Sequence, residues 1–232
     1  MSSLGDIETL KRQAALAAVD YVRDGMVVGL GTGSTAKHVV LTLAERVRAG
    51  LLMKGVPTSR ETASLARASG IALLETEDEW VIDLAIDGAD QVDPQFNLIK
   101  GGGGALLREK IVAAAARQLI IVIDQTKRVP VLGSPMPLPI EVVPFGWGST
   151  AREIEQLGIK VELRRRDGGI FKTEGGHYIL DLHVDRIEDP VSLEAQLNAI
   201  PGVVETGLFV GRTDLLIVGT TQGVEIQKAS RR

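Results

Sequence analysis

Five stretches of this chain combine residue types and spacings that could do chemistry. The first is Gly29-Leu30-Gly31-Thr32-Gly33-Ser34-Thr35-Ala36, which follows a short apolar run and opens a helical pattern. Glycines let a backbone turn tightly and aim its N–H groups outward. The helix N-terminus adds partial positive charge, and three hydroxyls stand beside it. The combination suits an anion such as phosphate. The alternative is a tight strand-to-helix turn with Ser or Thr as its N-cap. A dinucleotide loop would need a third glycine where Ser34 stands, and a nucleoside-triphosphate loop would need Gly-Lys-Ser/Thr. The second stretch is Asp87-Gly88-Ala89-Asp90, two carboxylates three residues apart past an apolar run. They could bind sugar hydroxyls, help open a sugar ring or hold a metal; the alternative is a plain Asp-Gly turn. His38, His177 and His183 are scattered away from it, which disfavours the metal.

Lys100-Gly101-Gly102-Gly103-Gly104 is the third stretch. Four successive glycines before a helix cost backbone entropy that a linker would place elsewhere. Their N–H groups, with Lys100 beside them, could stabilise an enediolate oxyanion. The alternative is a hinge or lid. Fourth is Glu109, whose helical neighbours Leu106, Val112, Ala113 and Ala116 are all apolar. Desolvation on such a stripe raises a carboxylate's pKa and makes it a better base near neutral pH. The alternative is a carboxylate at the stripe's edge, paired with a distant cation. Fifth is Lys127, closing the turn Asp124-Gln125-Thr126-Lys127, either a ligand contact or a solvated surface lysine. Arg164-Arg165-Arg166 reads as an exposed turn in preference to an anion contact.

The elements that must hold these residues alternate. Helical spacing covers residues 7–22, a strand 26–30, a helix beyond Thr35, a strand 51–56 and a helix 60–69. A strand 81–86, a helix 106–117 and a strand 119–123 follow. This alternation predicts a parallel sheet covered by helices on both faces. Pro57-Thr58-Ser59, the Thr32 turn, Asp87 and Asp90, the Lys100 loop and Lys127 all follow strands, and are expected at one sheet edge. Pro130, Pro135, Pro137, Pro139 and Pro144 crowd one connection and mark a boundary. Beyond it come strand 141–143, helix 150–157, strands 161–164 and 178–183, helix 192–200 and an extended 203–210. That is the split βαβ order of a small α+β domain. A strand at 215–218 returns to the first domain. The expected division is 1–132 with 207–232 against 133–206.

Composition narrows the classes. The 232 residues fit one large domain, or one with a small companion, at roughly 150 residues per domain. With 26 basic and 30 acidic residues the formal charge is −4, and aromatics are 3%, a poor footprint for nucleic acid. There is no cysteine, which excludes disulfides, Cys-ligated metals and a cysteine nucleophile. Met1-Ser2-Ser3-Leu4-Gly5-Asp6 has no basic region ahead of an apolar run, and the longest aliphatic run is short of the ~20 residues of a membrane span. A soluble, intracellular protein is expected, with no membrane partner.

Taken in order and at their spacing, Gly31-Thr32-Gly33-Ser34-Thr35, Asp87-Gly88-Ala89-Asp90, Lys100-Gly101-Gly102-Gly103 with Arg108-Glu109-Lys110, and Leu138-Pro139-Ile140-Glu141-Val142 resemble type A ribose-5-phosphate isomerases. The likeness runs from about Leu10 to Val224. The unrelated type B enzymes use a cysteine. The resemblance implies a Rossmann-like catalytic domain, mostly parallel with helices on both faces, plus the small α+β domain. It implies interconversion of D-ribose 5-phosphate and D-ribulose 5-phosphate without metal or nucleotide cofactor, in the cytoplasm, by a homo-oligomer (dimer or tetramer). By motif position Glu109 matches the general base, and Lys100 with Gly101, Gly102 and Gly103 the enediolate-stabilising group. Asp87, Gly88, Ala89 and Asp90 match the sugar and ring-opening contacts. Thr32, Gly33, Ser34, Thr35, Lys127 and Lys11 match the phosphate side. Gly104, where many members carry Ala, is expected to loosen the loop slightly, and Gly148 is another less usual residue.

Two other classes remain open to the residues alone. A nicotinamide oxidoreductase is disfavoured by Ser34 and by the absence of an acidic strand end about 20 residues on. A non-catalytic sugar-phosphate sensor would normally carry a DNA-binding module, and no stretch is left for one.

Overall fold

The structure, a computed structural model, describes residues 4–75 and 79–229; the opening Met1-Ser2-Ser3 and the far ends of the expected domain spans lie outside the described residues. The chain forms two compact units. The first comprises Met1–Ala89, Arg108–Lys127 and Arg212–Arg232, and the second Asp90–Leu107 and Arg128–Gly211.

A six-stranded sheet organises the first unit, in the order Gly223–Lys228, Leu215–Thr220, Leu119–Asp124, Leu84–Asp87, Val27–Leu30, Lys54–Pro57. All neighbours are parallel except the first pair, an antiparallel hairpin at the edge. The inner strands are apolar on both faces because both are covered, as near-continuous runs such as Leu119–Asp124 require. Val28, Leu30, Leu84, Ile86, Ile120, Val122 and Ile217 face a core shared with the helices Leu4–Val19 and Ser34–Arg48. The alternate residues face the other way. There a Cβ at Gly29 would lie 2.6 Å from Val112 of the helix Leu106–Ala115. Among the described residues no helix is long and apolar enough to cross a membrane.

In the second unit, Leu138–Val142, Trp147–Glu155, Lys160–Leu163, Tyr178–His183, Pro190–Asn198 and Val203–Thr206 give the expected strand–helix–strand–strand–helix–strand order. Its sheet is antiparallel throughout, with Leu138–Val142 and Tyr178–His183 central. Ile140, Val142, Leu180, Leu182, Ile154 and Leu197 build its core. Asp189 caps the second helix, accepting Ser192 N–H at 3.0 Å, with Pro190 in the first turn.

The expected boundary at 132/133 differs from the observed division. Gln91–Val92, Leu98–Ile99 and Leu208–Phe209 form a three-stranded sheet, which places 90–107 and 207–211 in the second unit. Ile99 sits in that unit's core with Leu132 and Leu208. Gln91, buried, donates from Nε2 to Gly133 O at 2.6 Å and accepts Gly133 N–H at 2.9 Å.

Candidate active site

In the first unit, Val27–Leu30 lies between Lys54–Pro57 and Leu84–Asp87, all parallel, so three strand ends share an edge. Past Leu30 the chain bends at Gly31, whose N–H donates to Ile86 O at 3.0 Å. A Cβ on Gly31 would sit 2.1 Å from Asp87 Oδ1, so the glycine makes room for that carboxylate. Asp87 is buried, and its Oδ1 accepts Thr32 N–H at 3.2 Å and Gly88 N–H at 2.7 Å. One carboxylate oxygen thereby ties the Thr32 turn to the Gly88 turn. Gly88 in turn stands beside Thr35: a Cβ there would be 4.0 Å from the Thr35 Cβ. Ala89, half-buried, ends this unit's part of the motif.

Gly33, at φ 104°, is the N-cap of the helix Ser34–Arg48, and no side chain caps it. The reading as an ordinary turn with a Ser or Thr cap therefore does not describe this loop. The first-turn N–H groups have no such cap, and Ser34 is exposed beside them. Beneath the loop lies a hydroxyl cluster that the sequence marked only as a strand end. Thr32 Oγ1 lies 2.7 Å from Thr58 Oγ1 and donates to Ser59 Oγ at 2.8 Å. Thr62 Oγ1 donates to Gly31 O at 2.9 Å, and Thr58 Oγ1 to Leu30 O at 3.1 Å. Thr58, Ser59 and Thr62 are buried, so these bonds fix the loop's carbonyls from below.

Glu109 lies in the first turn of Leu106–Ala115 and is 6% exposed, the burial its apolar stripe predicts. Lys127 closes the 3-10 turn Gln125–Lys127 at the end of Leu119–Asp124, the strand next to Leu84–Asp87. The turn is braced by buried Asp124, whose Oδ1 accepts Thr126 N–H at 2.9 Å and the Thr126 hydroxyl. Lys11, on the helix Leu4–Val19, pairs with Glu8 at 2.7 Å. Glu8 also meets His38 Nε2 at 2.9 Å, one turn into the helix that Ser34 opens. The Lys11 ammonium and the His38 ring hold the Glu8 carboxyl below the usual carboxylate range.

The remaining site residues belong to the second unit. Asp90 N–H donates to Ile99 O at 2.8 Å, and Asp90 Oδ2 accepts Gly102 N–H at 2.8 Å. Lys100 is 3% exposed; its N–H donates to Gly207 O at 2.9 Å and its Nζ lies 5.5 Å from the centre of the Phe209 ring. Here the expectation of one shared sheet edge is corrected. The strand before Lys100, Leu98–Ile99, pairs antiparallel with Gln91–Val92 and Leu208–Phe209, not with the parallel sheet. Two-residue strands leave no periodicity to read.

The glycine loop is a tight turn, with Gly104 N–H donating to Gly101 O at 3.0 Å. Gly101 and Gly104 have φ of 100° and 87°, which side chains rarely adopt. A Cβ on Gly104 would also lie 2.4 Å from the Phe171 ring. An alanine at Gly104 would therefore meet both an unfavourable φ and the Phe171 ring. Arg164 departs from its expected place too. Arg165 and Arg166 are exposed, but Arg164 is largely buried and bonded to the glycine loop, a role no spacing signalled. Among the described residues no cluster of His, Asp and Glu could hold a metal ion.

Comparison with known proteins follows the same lines. The model of the family Ribose 5-phosphate isomerase A (phosphoriboisomerase A) matches residues 54–223. The ribose-5-phosphate isomerase A of Gloeobacter violaceus is 56% identical over 95% of this chain and 96% of its own. That of Bradyrhizobium diazoefficiens is 51% identical over 95% and 96%. Among solved structures, ribose 5-phosphate isomerase from Plasmodium falciparum superposes with a TM-score of 0.93 at 35% identity, covering 97% of this chain and all of the other (100%). A D-ribose-5-phosphate isomerase in complex with phospho-erythronic acid gives a TM-score of 0.93 at 41% identity, covering 96% and 99%.

Proposed function

The chain belongs to the ribose 5-phosphate isomerase A family and is an isomerase; from that premise we propose that it interconverts D-ribose 5-phosphate and D-ribulose 5-phosphate through an enediolate, with Glu109 as the base. The observation that carries this reading is Glu109 itself, a buried carboxylate in the first turn of the helix that follows the glycine loop. In the aldose-to-ketose direction the furanose first opens, assisted by Asp87 and Asp90. Glu109 takes the C2 proton, the electron pair forms the C1=C2 bond, and negative charge develops on O1. Lys100 and the N–H groups of the glycine loop stabilise that charge. Glu109 returns its proton to C1 while a second proton moves from O2 to O1, leaving the carbonyl at C2.

Thr32, Gly33, Ser34, Thr35, Lys127 and Lys11 are read as holding the phosphate, whose binding energy positions carbons remote from it. The family also underlies our reading of the chain as a cytoplasmic homo-oligomer, a dimer or tetramer, of the non-oxidative pentose phosphate pathway. The test is Glu109→Gln, which keeps size and polarity but cannot accept a proton. Isomerisation is expected to fall by about 10²–10⁴-fold, the usual share of a general base, while ribose 5-phosphate binding stays within a few-fold. Turnover near that of the unaltered protein would remove Glu109 from the role.

A further inference from the structure

The glycine loop is held from behind by an arginine that the reaction above does not use. Arg164 lies between the strands Lys160–Leu163 and Arg165–Arg166, and its backbone is fixed at both ends. Its N–H donates to Ile179 O at 2.9 Å, and its carbonyl accepts Phe171 N–H at 3.0 Å. The side chain is 12% exposed and pairs through Nε (2.8 Å) and Nη2 with both oxygens of Asp181, itself 16% exposed. That fork sets the plane of the guanidinium. The remaining edge, Nη1, donates to Gly101 O at 2.8 Å and to Gly102 O at 3.2 Å.

A trans peptide is planar, and its C=O and N–H point to opposite sides. Holding the Gly101 carbonyl therefore aims the Gly102 N–H the other way, where it donates to Asp90 Oδ2 at 2.8 Å. Holding the Gly102 carbonyl aims the Gly103 N–H in the same sense. Four glycines left to themselves would sample many orientations of these peptides. Phe171 closes the assembly: its ring packs where a Gly104 Cβ would be, with the Arg164 and Arg166 guanidiniums 5.9 and 4.5 Å from its centre.

We propose that Arg164 is a positioning residue for the isomerisation: oriented by Asp181, it locks the Gly101 and Gly102 carbonyls so that the Gly102 N–H stays on Asp90 and the Gly103 N–H is preset for the enediolate oxygen. The inference rests on the reading of the glycine loop and Lys100 as the oxyanion-stabilising group. Preorganised donors stabilise developing charge without reorganising as it forms, so loosening them costs turnover more than ground-state binding.

The test compares Arg164→Met, Arg164→Met/Asp181→Leu and Lys100→Met with the unaltered full chain. The double variant replaces the ion pair with two apolar side chains, which spares Asp181 an unpaired burial if the single variant fails to fold. Readouts are kcat, KM, affinity for the enediolate mimic 4-phospho-D-erythronohydroxamate, and rescue by added guanidinium ion. Both Arg164 variants are expected to lose about 10- to 100-fold in kcat, less than the ~10²–10³-fold of deleting an oxyanion donor outright. KM should stay within about three-fold, affinity for the mimic should fall alongside kcat, and guanidinium should restore part of the single variant's activity.

Raised KM with kcat retained would make Arg164 an anion contact and overturn the proposal. So would unchanged kcat in the Arg164 variants while Lys100→Met is impaired; the oxyanion reading would then survive alone. Unchanged kcat in Lys100→Met would overturn both.

Discussion

Gly104 shows what one residue's geometry decides. Its φ of 87° costs an L-residue roughly 1 kcal/mol or more, and the Phe171 ring occupies the space where a Cβ would go. The two costs are separable. Gly104→Ala is expected to destabilise the protein by about 1–3 kcal/mol, read as a lowered urea midpoint at constant slope. Phe171→Leu beside it should recover the steric part and leave the backbone part. Purely additive losses in the pair would show that the ring and the Cβ do not compete. The same residue illustrates a limit of reading sequence: four glycines announce a special backbone, but the ring that fills the space a Gly104 Cβ would need belongs to Phe171, 67 positions later.

At the scale of elements, the helices Leu4–Val19 and Ser34–Arg48 are joined at their polar edge by Glu8, which meets Lys11 and His38. The Lys11 and His38 hydrogen bonds favour the charged carboxylate, so Glu8 titrates below its ordinary value. A depressed carboxyl pKa contributes stability above the unfolded value and loses it as pH falls through the folded one. The Glu8 side chain is 53% exposed, so that contribution is small and screened by salt. The expected observation is spectroscopic: a Glu8 side-chain carboxyl resonance that titrates below the ordinary glutamate value, and moves up toward it in Lys11→Met. An unchanged midpoint in that variant would show that Lys11 does not hold Glu8. Elements of this kind were legible in the sequence. The 3.6-residue period located the helices, and the apolar runs of 26–30, 81–86 (interrupted by Asp83) and 119–123 located inner strands of the sheet. What escaped were elements too short to carry a period, Gln91–Val92, Leu98–Ile99 and Leu132–Gly133, and the edge strand Gly223–Lys228, whose mostly exposed residues mix polar and apolar types without an apolar run. The candidate site shows the same division. Loops that follow strands were read directly from glycine, hydroxyl and carboxylate spacing, whereas the Thr58–Ser59–Thr62 cluster and Arg164 act on their loops through contacts 26 to 63 residues apart, which no local pattern encodes.

For the molecule as a whole, proline density marks where the main segment of the second unit begins, at Arg128, but not everything that belongs to that unit. The prolines between Pro130 and Pro144 suggest a boundary, yet the second unit also takes its residues 90–107 from before the strand Leu119–Asp124. The reason is packing. Leu98 and Ile99 are fully buried and pair directly with Leu208–Phe209, and Gln91 holds both hydrogen-bonding groups of Gly133. This makes a direct prediction about two fragments. A fragment of residues 128–211 keeps the antiparallel sheet but uncovers Phe209, Leu208 and Leu132 and leaves Gly133 without Gln91. A fragment of residues 90–211, with 108–127 replaced by a Gly/Ser linker of equal length, keeps those contacts. Burying a large apolar side chain contributes about 1.5–3 kcal/mol, and several are at stake. The longer fragment is therefore expected to unfold cooperatively in urea, with a midpoint well above that of the shorter one, and the shorter to bind a dye for exposed apolar surface. The linker adds only a loop-closure cost, which grows slowly with length and is smaller than the contacts retained. Equal midpoints for the two fragments would show that 90–107 contributes nothing to the second unit and would reduce that unit to 128–211.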